Sequence, residues 1–256
     1  ALIIFKINTN LYPNSANAFD SLGEAYMLKE DKINAIKYYQ MRVDMGGWFE
    51  ETYYSYYKIA MAKKFLKKAE KEVEEAFLNA HRFLPSRAEP LYELSLYYRG
   101  MDNFQKGYSY ALKASRIKFP KDQKLFLFKE FYDWKIKDEM GICSFYLKKY
   151  DESYKICKEL LNEGFLPEDQ RLRIEANRDF CVPFIKDKFI KYNSKLVKKI
   201  HRNVKKTKRK MVTYTVTTCK RFDLFEKTIN SFINCCQDIL QIDRWLCVDD
   251  NSSEED

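Results

Sequence analysis

The chain has 256 residues and a mass of 30.8 kDa, 46% of it hydrophobic, with a mean hydropathy of −0.55. That balance excludes a disordered or collagen-like chain and leaves room for one large domain or two ordinary ones. The net charge of +9 is local rather than general: residues 186–210 carry twelve Lys or Arg against one acid, which puts +11 there and −2 on the remainder.

Seven Gly, six Pro, nineteen Tyr and nineteen Phe point to long amphipathic helices packed through aromatic side chains. The apolar opening Ala1-Leu2-Ile3-Ile4-Phe5 stops at Lys6, too short for a bilayer span or a signal segment. Cysteine occurs seven times, an odd number with no CxxC pair, and histidine twice, at His81 and His201. A zinc site and a disulfide framework are both disfavoured. Thiols among apolar neighbours behave as small hydrophobes in a reducing compartment, so a cytoplasmic location is expected.

Residues 1–185 read as a repeat array. Leu22-Gly23, Tyr26, Ala35 and Tyr39 have the spacing of a tetratricopeptide repeat (TPR), in which a small residue lets one helix approach the next. The end of another unit precedes them at Ala1, Phe5, Asn8 and Pro13. Downstream the register returns as Leu94-Ser95, Phe104, Gly107, Ala111 and Ala114, and again as Met140-Gly141, Tyr150, Ser153, Cys157 and Leu160. A longer unit, Trp48 to Leu84, lies between the first and second full copies. Ser86-Arg87-Ala88-Glu89 reads as a capping box with Pro90 in the first turn, and Gly46-Gly47, Gly100 and Gly164 fall where helices should stop. Each helix pair leaves an apolar face that only stacking covers, so a TPR-like α-solenoid is expected, with an unrelated helical bundle as the alternative. Arg87 and Arg178 are placed to brace helix ends through Glu89 and Asp179, and Trp48 and Trp134 read as core aromatics.

Residues 186–210 form a basic amphipathic linker helix in this reading, with Phe189, Ile190, Leu196, Val197, Ile200 and Val204 on one side. Two roles stay open: contact with nucleic acid or an anionic membrane, or a solvated linker whose apolar stripe docks on its neighbour. The period then changes from helical to two. Val212, Tyr214 and Val216 alternate with threonines in a strand; Leu224 to Ile233 repeats every three or four residues in a helix with Asp223 as N-cap; Arg244 to Val248 is a second strand. Strand, helix and strand read as the first βαβ unit of a parallel sheet, in which ligands collect at the carboxyl ends of the strands. The polar clusters there are Thr217-Thr218-Cys219-Lys220-Arg221 and Asp249-Asp250-Asn251-Ser252. No GxGxxG turn accompanies them, which argues against a dinucleotide cofactor.

Val212 to Arg221, Leu224 to Ile233 and Trp245 to Ser253 resemble the opening of a family 2 glycosyltransferase of the GT-A, Rossmann-like α/β fold. That resemblance implies that Thr217, Cys219 and Asp250 contact the nucleotide of a nucleotide-sugar donor, with Asp249 bracing the loop. Cys219 stands where the family has Tyr, a departure that bears on base stacking. Met45 to Trp48, Pro85 to Leu94, Tyr132 to Trp134 and Glu175 to Asp179 look like the tetratricopeptide region joined to such enzymes. The resemblance implies transfer of a sugar to the hydroxyl of a glycan or protein acceptor, assisted by a divalent metal, Mg or Mn. The family's Asp-x-Asp motif and catalytic base would lie beyond residue 256, so residues 211–256 are expected to be a truncated domain, inactive alone. The rival expectation is a non-enzymatic scaffold that binds a protein or peptide partner in the solenoid groove.

Overall fold

The structure, a computed structural model, describes residues 2–206, 212–218 and 221–249. It divides into two compact units, Ala1–Cys181 and Val182–Asp256. The division falls within one helix, beside Pro183, whose ring removes a backbone donor from the helical ladder. No helix among the described residues is long and apolar enough to cross a membrane.

The first unit is built of consecutive helices: α1 (Leu2–Leu11), α2 (Ala16–Leu28), α3 (Lys32–Met45), α4 (Phe49–Phe65), α5 (Glu70–Phe83), α6 (Glu89–Arg99), α7 (Phe104–Ala114), α8 (Ile136–Tyr146), α9 (Tyr150–Asn162) and, as far as Cys181, α10 (Glu168–Phe189). Asp31 and Asn103 cap α3 and α7 by accepting the N–H of Asn34 and Lys106, each at 3.1 Å. Gly46 and Gly47, at φ +69° and +101°, end α3 in conformations other residues seldom adopt.

The repeat register has a direct packing cause. A Cβ at Gly23 would stand 3.1 Å from the Tyr39 ring, and one at Gly141 would stand 3.2 Å from Ile156 Cγ2. Helices of a pair therefore touch at the small residue, and α2 packs on α3, α6 on α7 and α8 on α9. The core runs through the unit as successive clusters around Leu22 and Tyr39, around Phe77, Leu94 and Tyr98, and around Trp134, Cys157 and Ile174. Trp134 is a core aromatic as expected; Trp48 is exposed at the start of α4.

Three local expectations need correction. Ser86 does not cap α6, whose N-cap is Ala88; its hydroxyl instead accepts from the Gln123 side chain at 2.6 Å. Asp223 lies in the first turn of α12 (Phe222–Cys235), not at its N-cap, which is Arg221. The Arg87 brace forms at the start of α6, pairing with Glu89 at 2.9 Å, whereas Arg178 pairs with Asp179 at 2.8 Å in the middle of α10 and not at a helix end.

The second unit holds α11 (Ser194–Lys206), β1 (Thr213–Thr218), α12 (Phe222–Cys235) and β2 (Arg244–Asp249). The strands pair in parallel, Thr213 against Arg244 through Thr218 against Asp249. The basic stretch is not one continuous helix. Between α10 and α11 the chain breaks, and Asn234 of α12 holds the break by donating to the carbonyls of Phe189 and Lys191 at 2.8 Å. The apolar stripe of α11 is spent in the core: Ile200, with Leu196 and Val204, packs on Ile239, Ile242 and Trp245. Lys195, Lys198, Lys199, Arg202, Lys205 and Lys206 face solvent.

Candidate functional site

In the first unit the first helices of successive pairs, α2, α4, α6, α8 and α10, form one layer. Charged and polar side chains bridge every junction within it. Ser55 of α4 donates to Asp20 of α2 at 3.4 Å and Lys58 pairs with Glu24 at 3.1 Å. Lys64 of α4 pairs with Glu93 of α6 at 2.8 Å, Arg99 of α6 with Glu139 of α8 at 2.6 Å, and Arg173 of α10 with Asp138 of α8 at 2.8 Å.

These carboxylates are tuned by their surroundings. Burial pushes Asp20 above the ordinary carboxylate value, against the Arg42 charge, and Glu51 and Glu24 add to the rise. Glu24 ends below its ordinary value although burial opposes this, because Tyr39 and Lys58 donate to it. Glu139 is raised by burial, with Arg99 opposing and the Asp138 charge adding. Partly desolvated ion pairs of this kind orient side chains along a layer more than they stabilise it.

Between α6, α8, α9 and α10 the layer opens into a cavity of about 390 Å³ lined by Arg99, Ile142, Phe145, Arg173, Asn177 and Phe180, among others. Apolar walls with a few fixed polar groups suit a side chain or short segment of a ligand. Phe180 is exposed, as is Tyr146, which stacks on Phe104 at 4.2 Å.

A second feature of the layer comes from the long connection between α7 and a π-helical turn at Phe131–Lys135. It returns to the start of α4 and α6, where Glu50 and Arg87 hold its backbone. Arg87 is fully buried. Its Nε lies 3.1 Å from both oxygens of Glu89, and its guanidinium sits 4.6 Å from the centre of the Tyr53 ring. Tyr132 donates to Glu89 at 2.9 Å and accepts the Ala88 N–H at 3.1 Å.

The residues singled out for nucleotide-sugar binding are placed as follows. Thr217 is exposed near the end of β1, paired with Val248; Asp249 is exposed at the end of β2, paired with Thr218. Cys219 and Asp250 lie outside the described residues. Among the described residues, no group of three His, Cys, Asp or Glu side chains is placed to hold a metal ion. Sequence reasoning passed over Asp20, Glu24, Glu50, Asp138, Glu139 and Arg173. The signal available was the repeat template: these charges sit on first helices, between the small and apolar positions that make the core.

The sequence matches no protein-family model, and no curated protein matches it. Solved structures do resemble it. MamA aligns with a TM-score of 0.50 at 20% identity, over 67% of this chain and 89% of its own. YrrB, described as a TPR protein with an unusual peptide-binding site, aligns with a TM-score of 0.52 at 12% identity, over 72% and 84%. BtubC from P. vanneervenii aligns with a TM-score of 0.52 at 10% identity, over 71% and 79%.

That likeness corrects the enzymatic expectation. MamA and YrrB are TPR proteins, and the fold they share with this chain is the helical array, not a GT-A domain. The sheet that was to carry nucleotide chemistry has two six-residue strands among the described residues, with β2 exposed along most of its length. The glycosyltransferase reading is withdrawn: this chain is a mainly helical protein carrying a TPR-like solenoid.

Proposed function

We propose that the chain is a scaffold that binds a peptide or protein segment on the layer formed by α2, α4, α6, α8 and α10. The observation that carries this reading is the series of partly buried ion pairs, one at each junction of that layer, together with the aromatic-lined cavity between α6, α8, α9 and α10. Fixed charges spaced along a stacked-helix surface can orient a backbone or side chain, while the cavity receives an apolar group. The peptide-binding site named for YrrB lies on the same kind of fold and supports the assignment. In this reading residues 1–185 supply the binding surface, and 186–210 connect it to the small α/β element of 211–256.

A random peptide library panned against the whole chain tests this. Selected peptides should lose roughly ten-fold or more in affinity against Arg173→Ala or Phe180→Ala. They should bind normally to Arg82→Ala, whose side chain pairs with Glu75 on the exposed face of α5. If only the α5 variant weakens binding, the layer is not the site.

A further inference from the structure

A carboxylate and a guanidinium grip the backbone of three successive residues, centred on Leu125, in the connection between α7 and α8. Glu50 Oε2 accepts the N–H groups of Lys124 at 2.8 Å and Leu125 at 2.7 Å. Arg87 donates to the carbonyls of Leu125 at 3.0 Å and Phe126 at 2.6 Å. Successive N–H groups form a concavity suited to an anionic oxygen, and two neighbouring carbonyls suit the forked guanidinium. Main chain is what this clamp reads, and any peptide offers it. Selectivity comes from the next side chain: Phe126 stacks on Tyr54 of α4, ring centroids 3.6 Å apart and 9° from parallel.

The clamp belongs to the helices and not to the loop. Glu50 is in the first turn of α4, and Arg87 is positioned by Glu89 of α6 and the Tyr53 ring, partners that remain if the loop departs. Beyond the clamp the loop is held by Gln123, which is buried and donates to Ser86 at 2.6 Å, and by the Phe126 stack. Lys121, Asp122 and Lys124 are exposed, and Phe126 and Phe128 remain 39% and 50% exposed. Phe126 also has φ +52°, a conformation costly for a bulky residue, with its own carbonyl and the preceding one both held by Arg87. Segments with few buried apolar contacts open locally at low cost.

We infer that the α4–α6 section of the layer is a peptide-binding site occupied by the chain's own residues 123–128, and that it takes from a partner an irregular segment bearing an aliphatic–aromatic pair like Leu125-Phe126. The inference rests on the scaffold reading and gives it a site and a ligand class. Displacement of the loop is the event by which a partner gains this section.

The test uses the full chain with residues 121–128 replaced by Gly-Ser of equal length, and a labelled synthetic peptide of residues 119–130 as probe. The replaced chain should bind the probe at micromolar concentration, the intact chain roughly ten-fold or more weakly, and Tyr54→Ala in the replaced chain should lose about as much. A folded replaced chain that ignores the probe, or binds a scrambled version equally, overturns the inference. So does equal binding by the intact chain. If the replacement does not fold, hydrogen exchange on the intact chain decides: the Lys124 and Leu125 amides should exchange well before those of α4 and α6, and equal protection overturns the proposal. Library peptides that still depend on Arg173 and Phe180 would leave the broader scaffold reading standing while this one fails.

Discussion

Ser95 donates its hydroxyl to the carbonyl of Gly107 at 2.7 Å, joining α6 to α7 at their closest approach. One pair further along the same bond recurs with the residues exchanged: Ser153 of α9 donates to Gly141 of α8 at 2.9 Å. In both, the glycine lets the backbones meet and the serine fills the gap with a satisfied hydroxyl. A Cβ on Gly141 would press on Ile156 at 3.2 Å. Gly141→Ala should therefore destabilise the protein by about 1–2 kcal/mol, overpacking outweighing the gain in helix propensity. Ser153→Ala should cost about 1 kcal/mol for the lost bond. Urea midpoints measured by circular dichroism check both, and a stabilised Gly141→Ala would refute the packing account.

The buried pair of Arg87 and Glu89 should show strong coupling. Arg87→Met leaves the Glu89 carboxylate buried beside Tyr132 alone and should cost about 3–5 kcal/mol. Adding Glu89→Gln to that variant should restore part of the loss, because the unpaired charge is removed. A double-mutant cycle of denaturation midpoints gives the coupling directly, and additive losses would mean that water reaches the pair.

Acid stability should carry the signature of Glu24. Its folded-state value is lowered, so its contribution is present above the ordinary glutamate value of 4.5 and is lost as pH falls through the folded value. Glu24→Gln should flatten the decline of melting temperature below pH 4.5 while adding no slope near neutrality. An unchanged acid limb would show that Tyr39 and Lys58 do not hold the carboxylate in solution.

The cysteines should divide by burial. All six described cysteines are unpaired with one another; Cys143, Cys157 and Cys181 are buried, whereas Cys235 and Cys247 are exposed. Burial pushes the Cys143 and Cys157 thiols up to about 12, with Glu139 adding at Cys143 and the neighbouring Cys181 at Cys157. Brief maleimide treatment at neutral pH, read by peptide mass spectrometry, should label Cys235 and Cys247 first. Early labelling of Cys157 would contradict the packing of α8 and α9.

Ile200 joins α11 to the rest of its unit, packing with Ile239 and Ile242. Ile200→Ala should cost that unit about 2–4 kcal/mol. Hydrogen exchange should rise across α11, α12 and the strands while α2 to α9 keep their protection. A uniform rise along the chain would mean that the two units unfold as one.

Much of the fold was legible along the chain because its determinants are local. Leu22-Gly23 with Tyr39, and Met140-Gly141 with Cys157, announce helix pairs through spacing alone, since a small residue opposite a larger one is a requirement of close helix approach. The alternation of Val212, Tyr214 and Val216 announced β1 for the same kind of reason, a period of two against one of 3.6. What the spacing could not supply was meaning for Thr217 and Asp249. A motif resemblance assigned them to nucleotide-sugar binding, and the parallel pairing of the strands sets Thr217 beside Val248 and Asp249 beside Thr218.

The sequence by itself determined the repeat register, the place where helical period gives way to strand period, and the local excess of positive charge, all properties of neighbours within a few turns. Only the tertiary structure decided that the stripe of α11 is spent inside its own unit, and that Glu50 and Arg87, 37 positions apart in the sequence, close on the backbone of Leu125. Contacts of that range depend on which faces the stacked helices bring together, and no periodicity along one segment encodes the partner it will meet.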